Sequence, residues 1–482
     1  MEYIIQNRTP GSVFRFFEEI SAIPRGSYNE AEIASYLEKF AVERGLECYR
    51  DKVHNVLIKC PATKGLETCP PLLFQGHIDM VCEKNSDVEH DFTKDPLRLY
   101  VDGRYLRARG TTLGGDNGIA VAMMLALLDG EIAEHPAYEC LFTTAEEVGL
   151  DGAHAFDYTR VNARRMINLD SEEMGVVTVG CAGGLRSDLT LHYTPVPFKG
   201  ECVRVSVKGL MGGHSGANIN SGRANANKLM GRMLAALQAK VEVCIVSLTG
   251  GSKDNAIPRE CEACLAVSNA DAAIDLLTEQ AERIAEELGA DDRGFTVTCQ
   301  TEAEDALMMP KKESEQVISL LACAANGVLE MSRQVQGLVE YSRNLGVITH
   351  KEGQISFVFS SRSSIENQLD TSIRELDLLA RLTGFEARHY SRYPGWNYAP
   401  TSEVRDVYLK AYREETGKNA KIDIIHAGLE CGVIASHVPD MDMISIGPDM
   451  KDIHSPDEAL DLDSVEAFWK VLVRTVKLFC KK

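Results

Sequence analysis

The chain has 482 residues, 44 % of them hydrophobic and 25 % charged, with 38 glycines and 16 prolines. That length allows two to four domains of about 100–200 residues each, and the composition excludes collagen-like and disordered chains. Lys and Arg number 51 against 71 Asp and Glu, a formal net charge of −20; this argues against nucleic acid, whose binding rests on basic residues, and is compatible with metal ions.

No run approaches the ~20 apolar residues of a membrane-spanning helix. The start, MEYIIQNRTPGSVFRFFEEI, has no basic stretch leading into an apolar one, so a cytoplasmic protein without membrane contact is expected. The 14 cysteines are scattered through apolar contexts, a pattern of reduced, buried thiols. Cys261 and Cys264 in RECEACLAV read as strand packing, because a zinc knuckle needs a second pair.

In chain order, residues 12–188 alternate helices with short apolar strands, as an α/β domain does. Asn29 with Glu32 reads as a capping box opening a helix that carries Ile33, Tyr36, Leu37, Phe40 and Ala41 and stops at Gly45. Strands are expected at 55–59, 72–76, 139–143 and 166–169, with a helix over 117–128. A different rhythm follows: strand 203–207, helix 224–237, strands 241–248 and 261–267, helix 274–288 and strand 295–299, the order βαββαβ. The next stretch nearly repeats it, with helices around 317–328 and 365–382 and strands around 345–348, 355–359 and 386–390. Even the turn Asp254-Asn255-Ala256-Ile257 is answered by Arg343-Asn344-Leu345-Gly346. We therefore expect a discontinuous α/β domain, residues 1–188 and 398–482, with an inserted α+β domain, residues 189–397, built from a duplicated ferredoxin-like unit.

Five constellations carry chemistry. The strand Leu72-Leu73-Phe74-Gln75-Gly76 runs into His77-Ile78-Asp79. Residues two apart on a strand share a face, so the Asp79 carboxylate can fix the His77 tautomer while the other ring nitrogen binds a metal. GTTLGGDNGIA, residues 110–120, is a glycine-rich turn feeding an apolar helix. It lacks both the Lys-Ser/Thr and the GxGxxG of nucleotide loops, and Asp116 reads either as a helix cap or as a carboxylate presented to a cation. FTTAEEVG runs an apolar strand into Glu146 and Glu147, adjacent acids that repel unless a cation or proton lies between them. MINLD ends on Asp170, and IHSPDE supplies His454. His77, Asp116, Glu147, Asp170 and His454 stand mostly at strand ends, where open α/β sheets bind ligands. Two imidazoles with three carboxylates suit a pair of zinc ions, and Glu146 brings such a site to neutrality.

The strings GHIDMV, GTTLGGDNG, TTAEEVG, NLDSEE, GGHSG and IHSPDE resemble those of the M20 metallopeptidases, in the aminoacyl-histidine dipeptidase (peptidase D) branch. The likeness spans essentially the whole chain, HAGLECG and the inserted domain included. It implies that Asp116 bridges two metals, with His77 and Asp170 on one and Glu147 and His454 on the other; zinc is expected, with Mn or Co as substitutes. Glu146 would be the general base that takes a proton from the bridging water and delivers it to the leaving amine, while Asp79 orients His77. The resemblance makes the inserted domain a lid, whose His214 would polarise the scissile carbonyl on closure. Asn255 would donate to the oxyanion or the substrate, Arg362 would pair with the substrate's terminal carboxylate, and Glu430 would hold its free ammonium. Read without the resemblance, Arg362 is equally a surface arginine and Glu430 a helix-start carboxylate. The implied activity is hydrolysis of unblocked dipeptides, including Xaa-His types such as carnosine, by a monomer or homodimer. The alternatives are an N-acyl amino acid deacylase or carboxypeptidase on the same scaffold, and a metal-binding protein whose catalysis has lapsed.

Overall fold

The computed structural model describes residues 3–333 and 335–480, the side chains of 303–305 excepted. Contacts group the chain into two units. The first runs to Gly180 and resumes over Trp396–Ile424 and from Leu429 onward; the second comprises Cys181–Gly395 and Ile425–Gly428. The sequence reading puts the first divide at 188, inside the strand Gly183–His192, which pairs on both sides with strands of the second unit.

In the first unit an eight-stranded sheet has the order Glu47–Arg50, Val56–Cys60, Tyr138–Thr143, Leu72–His77, Arg165–Asn168, Asp442–Ser445, Val176–Cys181, Lys421–Ile425. Leu72–His77 runs parallel to both Tyr138–Thr143 and Arg165–Asn168, so the C-terminal ends of these three strands open to one side. All three are buried throughout, which explains their apolar runs, since parallel strands are covered on both faces. Helix Gly115–Leu128 buries every residue but Asp116. The same core holds Phe14, Phe17, Phe74, Phe142 and Phe468, each contributing roughly 1.5–3 kcal/mol by leaving water.

The expected capping box does not form. Helix Ala31–Glu43 has Glu30 as its N-cap, without a side-chain capping bond. The Glu30 carboxylate instead accepts from the backbone N–H of Tyr28 and of Ala145, each at 3.0 Å, and so braces the turn before Glu146.

The second unit is built on a nine-stranded antiparallel sheet in the order Thr296–Met308, Val196–Lys208, Cys261–Val267, Val243–Gly250, Val339–Lys351, Gln354–Ser363, Gly183–His192, Glu386–Tyr393, with Gly327–Met331 added beside Val339–Lys351. Its two halves repeat one spatial order: fourth strand, first, third, second. In the first half, helices Ala226–Gln238 and Ala270–Glu287 complete the pattern; in the second, Lys311–Cys323 and Glu366–Thr383 do so. The second half takes its first strand, Gly183–His192, from ahead of the entire first half. The helix expected at 317–328 ends at Cys323, because residues from Gly327 pair with Val339–Lys351. Arg343 to Gly346 lie within a strand rather than a turn, and Asn344 Nδ2 donates to the carbonyls of Asp254 at 3.1 Å and Ala256 at 2.8 Å. The two segments that look alike in sequence thus pack on each other.

Candidate metal centre

His77, the last residue of its strand, is 1 % exposed. Its Nε2 lies 3.1 Å from Asp116 Oδ1 and 3.4 Å from Asp170 Oδ1. On the other side of the ring, Nδ1 lies 3.1 Å from the Asp79 carbonyl and 3.4 Å from Asp79 Oδ1. His454 Nε2 stands 3.1 Å from Asp116 Oδ2 and 3.1 Å from Glu147 Oε1. Asp116 therefore gives one oxygen to each imidazole. Ligating atoms of His77, Asp116 and Asp170, of His77, Glu146 and Glu147, and of Asp116, Glu147 and His454 fall within 4.8 Å of one another in each trio.

Local chain geometry places these groups. Gly114 turns the chain at φ +65°, and Asp116 and Asn117 stay non-helical before the apolar helix proceeds. Asn117 Nδ2 donates to the Leu169 carbonyl at 2.9 Å, tying this turn to the strand end that carries Asp170. Asp79 does more than orient His77. Its Oδ1 accepts from Glu146 N–H at 3.1 Å, and its Oδ2 accepts from Glu147 N–H at 3.4 Å and Ser27 Oγ at 2.8 Å. One buried carboxylate thus sets the imidazole and the loop bearing both glutamates.

Four acids share this space with two imidazoles. Bonds to Asp116 and Glu147 pull His454 up to about 11. Burial lowers His77, yet Asp170, Asp116 and Asp79 outweigh it and hold the ring well above its ordinary value. Burial, reinforced by Asp170 and Glu147, keeps Glu146 well above the carboxylate range, while burial raises Asp170 to about 6 against the pull of His77. Such a surplus of buried acid is what a divalent cation neutralises, and donors confined to imidazole and carboxylate fit zinc, manganese or cobalt.

The second unit holds His214, Asn255 and Arg362. His214 pairs with Ala256 in a two-stranded ribbon, and Ser215 N–H donates to the Asn255 carbonyl at 2.8 Å. His214 Nδ1 accepts from the N–H of Gly216 at 3.2 Å and of Ala217 at 3.1 Å, which leaves the proton of the neutral ring on Nε2. Arg362 is 7 % exposed, so the surface reading does not hold. It stands across from Ser342 in the sheet, its Nη1 donates to Tyr393 Oη at 2.9 Å, and its Nε is buried without a partner. Ser342 Oγ lies 2.7 Å from His426 Nε2, and burial, Arg362 and His214 together push His426 down to about 3. Glu430, back in the first unit, is 0 % exposed. Its Oε2 accepts from Gln75 Nε2 at 2.5 Å and Thr143 Oγ1 at 2.7 Å, Oε1 is buried without a partner, and burial raises it to about 7.

Residues 73–478 match Peptidase family M20/M25/M40. The chain belongs to this family. It is 39 % identical over 473 residues to the cytosol non-specific dipeptidase of Escherichia coli K12, covering 97 % of this chain and 98 % of that one. The crystal structure of aminoacylhistidine dipeptidase from Vibrio alginolyticus has a TM-score of 0.91 and 38 % identity, covering 98 % of this chain and 97 % of that one. Aminopeptidase PepT from Bacillus cereus shares the fold along the full length of both chains, with a TM-score of 0.57 and 17 % identity. The chain is thus a peptide hydrolase of a metal-dependent family, with a cluster able to hold metal. Among the described residues no helix is long and apolar enough to cross a membrane.

Sequence reasoning overlooked Arg25, Ser27 and Glu30. The segment IPRGSYNE around them carries only turn residues as a signal, and Ile78, Asp79 and Ala145, which they bind, lie far along the chain.

Proposed function

We propose that this M20 peptidase is a cytoplasmic dinuclear dipeptidase that hydrolyses unblocked dipeptides, Xaa-His types such as carnosine among them. One observation carries the reading: Asp116 sets one oxygen 3.1 Å from each of two imidazoles amid three further carboxylates. His77 and Asp170 would hold one cation, Glu147 and His454 the other, with Asp116 shared; zinc is the first choice, with Mn or Co as substitutes. When bound, the cations supply Lewis acidity that lowers the pKa of water and polarises the scissile carbonyl. Glu146, its N–H pinned by Asp79, takes a proton from the attacking water and hands it to the amine nitrogen as the C–N bond breaks.

The two halves of the second unit's sheet form a duplicated ferredoxin-like lid in this reading. His214 donates from Nε2 to the carbonyl oxygen as it gains charge, with Asn255, in the turn just before the adjoining strand, assisting. Arg362, one nitrogen committed to Tyr393, turns its Nε–Nη2 edge to the terminal carboxylate. That pairing favours substrates with a free C-terminus. Glu430, sealed under Gln75 and Thr143, steadies two strand ends rather than meeting the substrate ammonium. Assembly as a monomer or a homodimer fits this scheme.

Metal analysis joined to a substrate panel tests the proposal. The wild type should carry two cations and cleave β-Ala-His and other free dipeptides in preference to N-acetyl amino acids. Glu146→Gln should lower kcat about 100- to 10,000-fold while retaining both cations. A fully active Glu146→Gln protein overturns the mechanism, and cleavage confined to N-acetyl amino acids overturns the substrate class.

A further inference from the structure

The glycine-rich turn before Asp116 is built like an anion-binding loop, and an anion fills it: the chain's own Glu458. This carboxylate is 3 % exposed. Its Oε2 accepts from the N–H of Leu113 at 2.7 Å and Gly114 at 3.0 Å, and its Oε1 accepts from Gly115 at 2.8 Å and Asp116 at 3.4 Å. Successive backbone N–H groups in such a turn form a concave anion cradle. Here the occupant comes from the loop that carries His454, four residues away in sequence.

Arg25 grips the same turn through its carbonyls. The side chain is 1 % exposed, and Nη2 donates to the Gly114 carbonyl at 2.5 Å. Nη1 donates to the carbonyls of Ile78 at 3.0 Å and Asp79 at 3.1 Å, the residues that follow His77. A Cβ on Gly114 would lie 2.4 Å from Arg25 Nη2, and one on Gly118 2.6 Å from it. The glycines therefore make room for a guanidinium. Arg25 binds a carbonyl of the turn and Glu458 its N–H groups, and each is also tied to a loop bearing a histidine of the proposed centre.

We infer that Glu458 and Arg25 are positioning residues of the metal centre, locking the turn so that the two Asp116 oxygens stay divided between His77 and His454. Neither side chain is among the groups that could hold a cation. The inference rests on the dinuclear reading above. Removing the carboxylate frees the N–H cradle, lets the turn relax, and moves the one ligand both cations share, so both should loosen together.

The experiment measures zinc affinity by chelator competition, at a temperature where circular dichroism shows the protein folded. Glu458→Gly should weaken both cations by about 10- to 100-fold, the usual effect of losing a group that orients a ligand. Formate, a carboxylate small enough for the vacated cradle, should restore most of that affinity, whereas chloride at equal ionic strength should not. Glu139→Gln is the control: Glu139 is a 2 % exposed carboxylate accepting backbone N–H of Asn162 and Ala163, each at 2.9 Å, outside the metal groups. It should lower Tm and leave zinc affinity unchanged. If Glu458→Gly does not fold, Glu458→Gln and Arg25→Lys carry the same measurement, with smaller losses expected. Two cations bound as tightly by the folded variants as by the wild type overturn the inference alone. A wild-type chain that takes up no zinc overturns the dinuclear reading as well.

Discussion

His77 and His454 in the first unit and His214, His350 and His426 in the second sit in opposite electrostatic settings. In the first unit, His454 is raised to about 11 and His77 well above its ordinary value, because carboxylates crowd both rings. In the second, burial lowers His350 to about 4, while burial with Arg362 and His214 lowers His426 to about 3. His214 is also lowered, by burial and then by Arg362. The same side chain is thus prepared for different work. In the proposed reaction, rings set among acids would share cations with them, while His214 and His426, lowered by burial and by Arg362, would offer hydrogen bonds. A free dipeptide carries a carbonyl to be polarised and a carboxylate to be neutralised, and the proposed reaction needs both settings.

The largest expected effect comes from removing the acid that both first-unit rings share. Asp116→Ala should lose both cations and lower kcat/KM on the order of 10,000-fold, as knockouts of a catalytic unit do. Metal content by mass spectrometry with dipeptide turnover checks it. Two cations retained in that variant would mean that the acid-rich setting does not centre on Asp116.

In the second unit the comparable test is Arg362→Met. Loss of a bidentate charge-assisted pair should raise KM for free dipeptides by about 100-fold, from about 1.5–3 kcal/mol per such interaction. Turnover at saturation should change far less, and dipeptide amides, which have no terminal carboxylate, should be nearly indifferent. An equal loss for acids and amides would show that Arg362 holds the sheet together rather than reading the substrate.

Several of the first-unit residues that the structure brings together could be picked out because they end an apolar strand or begin the loop after it, and that pattern is local; Asp116, at a helix start, instead stood out through its glycine-rich turn. His77, Asp170 and the Glu146-Glu147 pair all follow buried strands. The braces behind them were not legible. Arg25, Glu30 and Glu458 bind backbone N–H and carbonyl groups on distant loops, and backbone partners leave no mark on residue type or period. In the second unit, strand and helix rhythms revealed most of the elements. The membership of Gly183–His192 stayed hidden, since its alternation resembles that of any half-buried strand and its partners, Gln354–Ser363 and Glu386–Tyr393, lie far along the chain. His426 drew notice only as part of HAGLECG, because what gives it a setting is Ser342 across the fold.

The smallest effect separates the second unit by its response to acid. His350 is neutral in the fold: Nδ1 accepts from Leu248 N–H at 3.0 Å, and Nε2 meets Tyr193 Oη at 2.6 Å. Its folded value of about 4 lies below the unfolded value near 6.5. Between the two the unfolded chain binds more protons, so stability is full above about pH 6.5 and is lost as pH falls toward 4. The full gap corresponds to about 3 kcal/mol, which solvent screening of this half-buried ring should reduce to about 2 kcal/mol, and protonating Nδ1 would also expel the Leu248 N–H from its acceptor. Hydrogen exchange across Val339–Lys351 should therefore accelerate on acidification in the wild type. In His350→Gln, which keeps an acceptor and cannot titrate, the same amides should respond less steeply between pH 7 and 4. Equal slopes in the two proteins would remove His350 from the contrast and leave the lowered second-unit setting to His426 and His214.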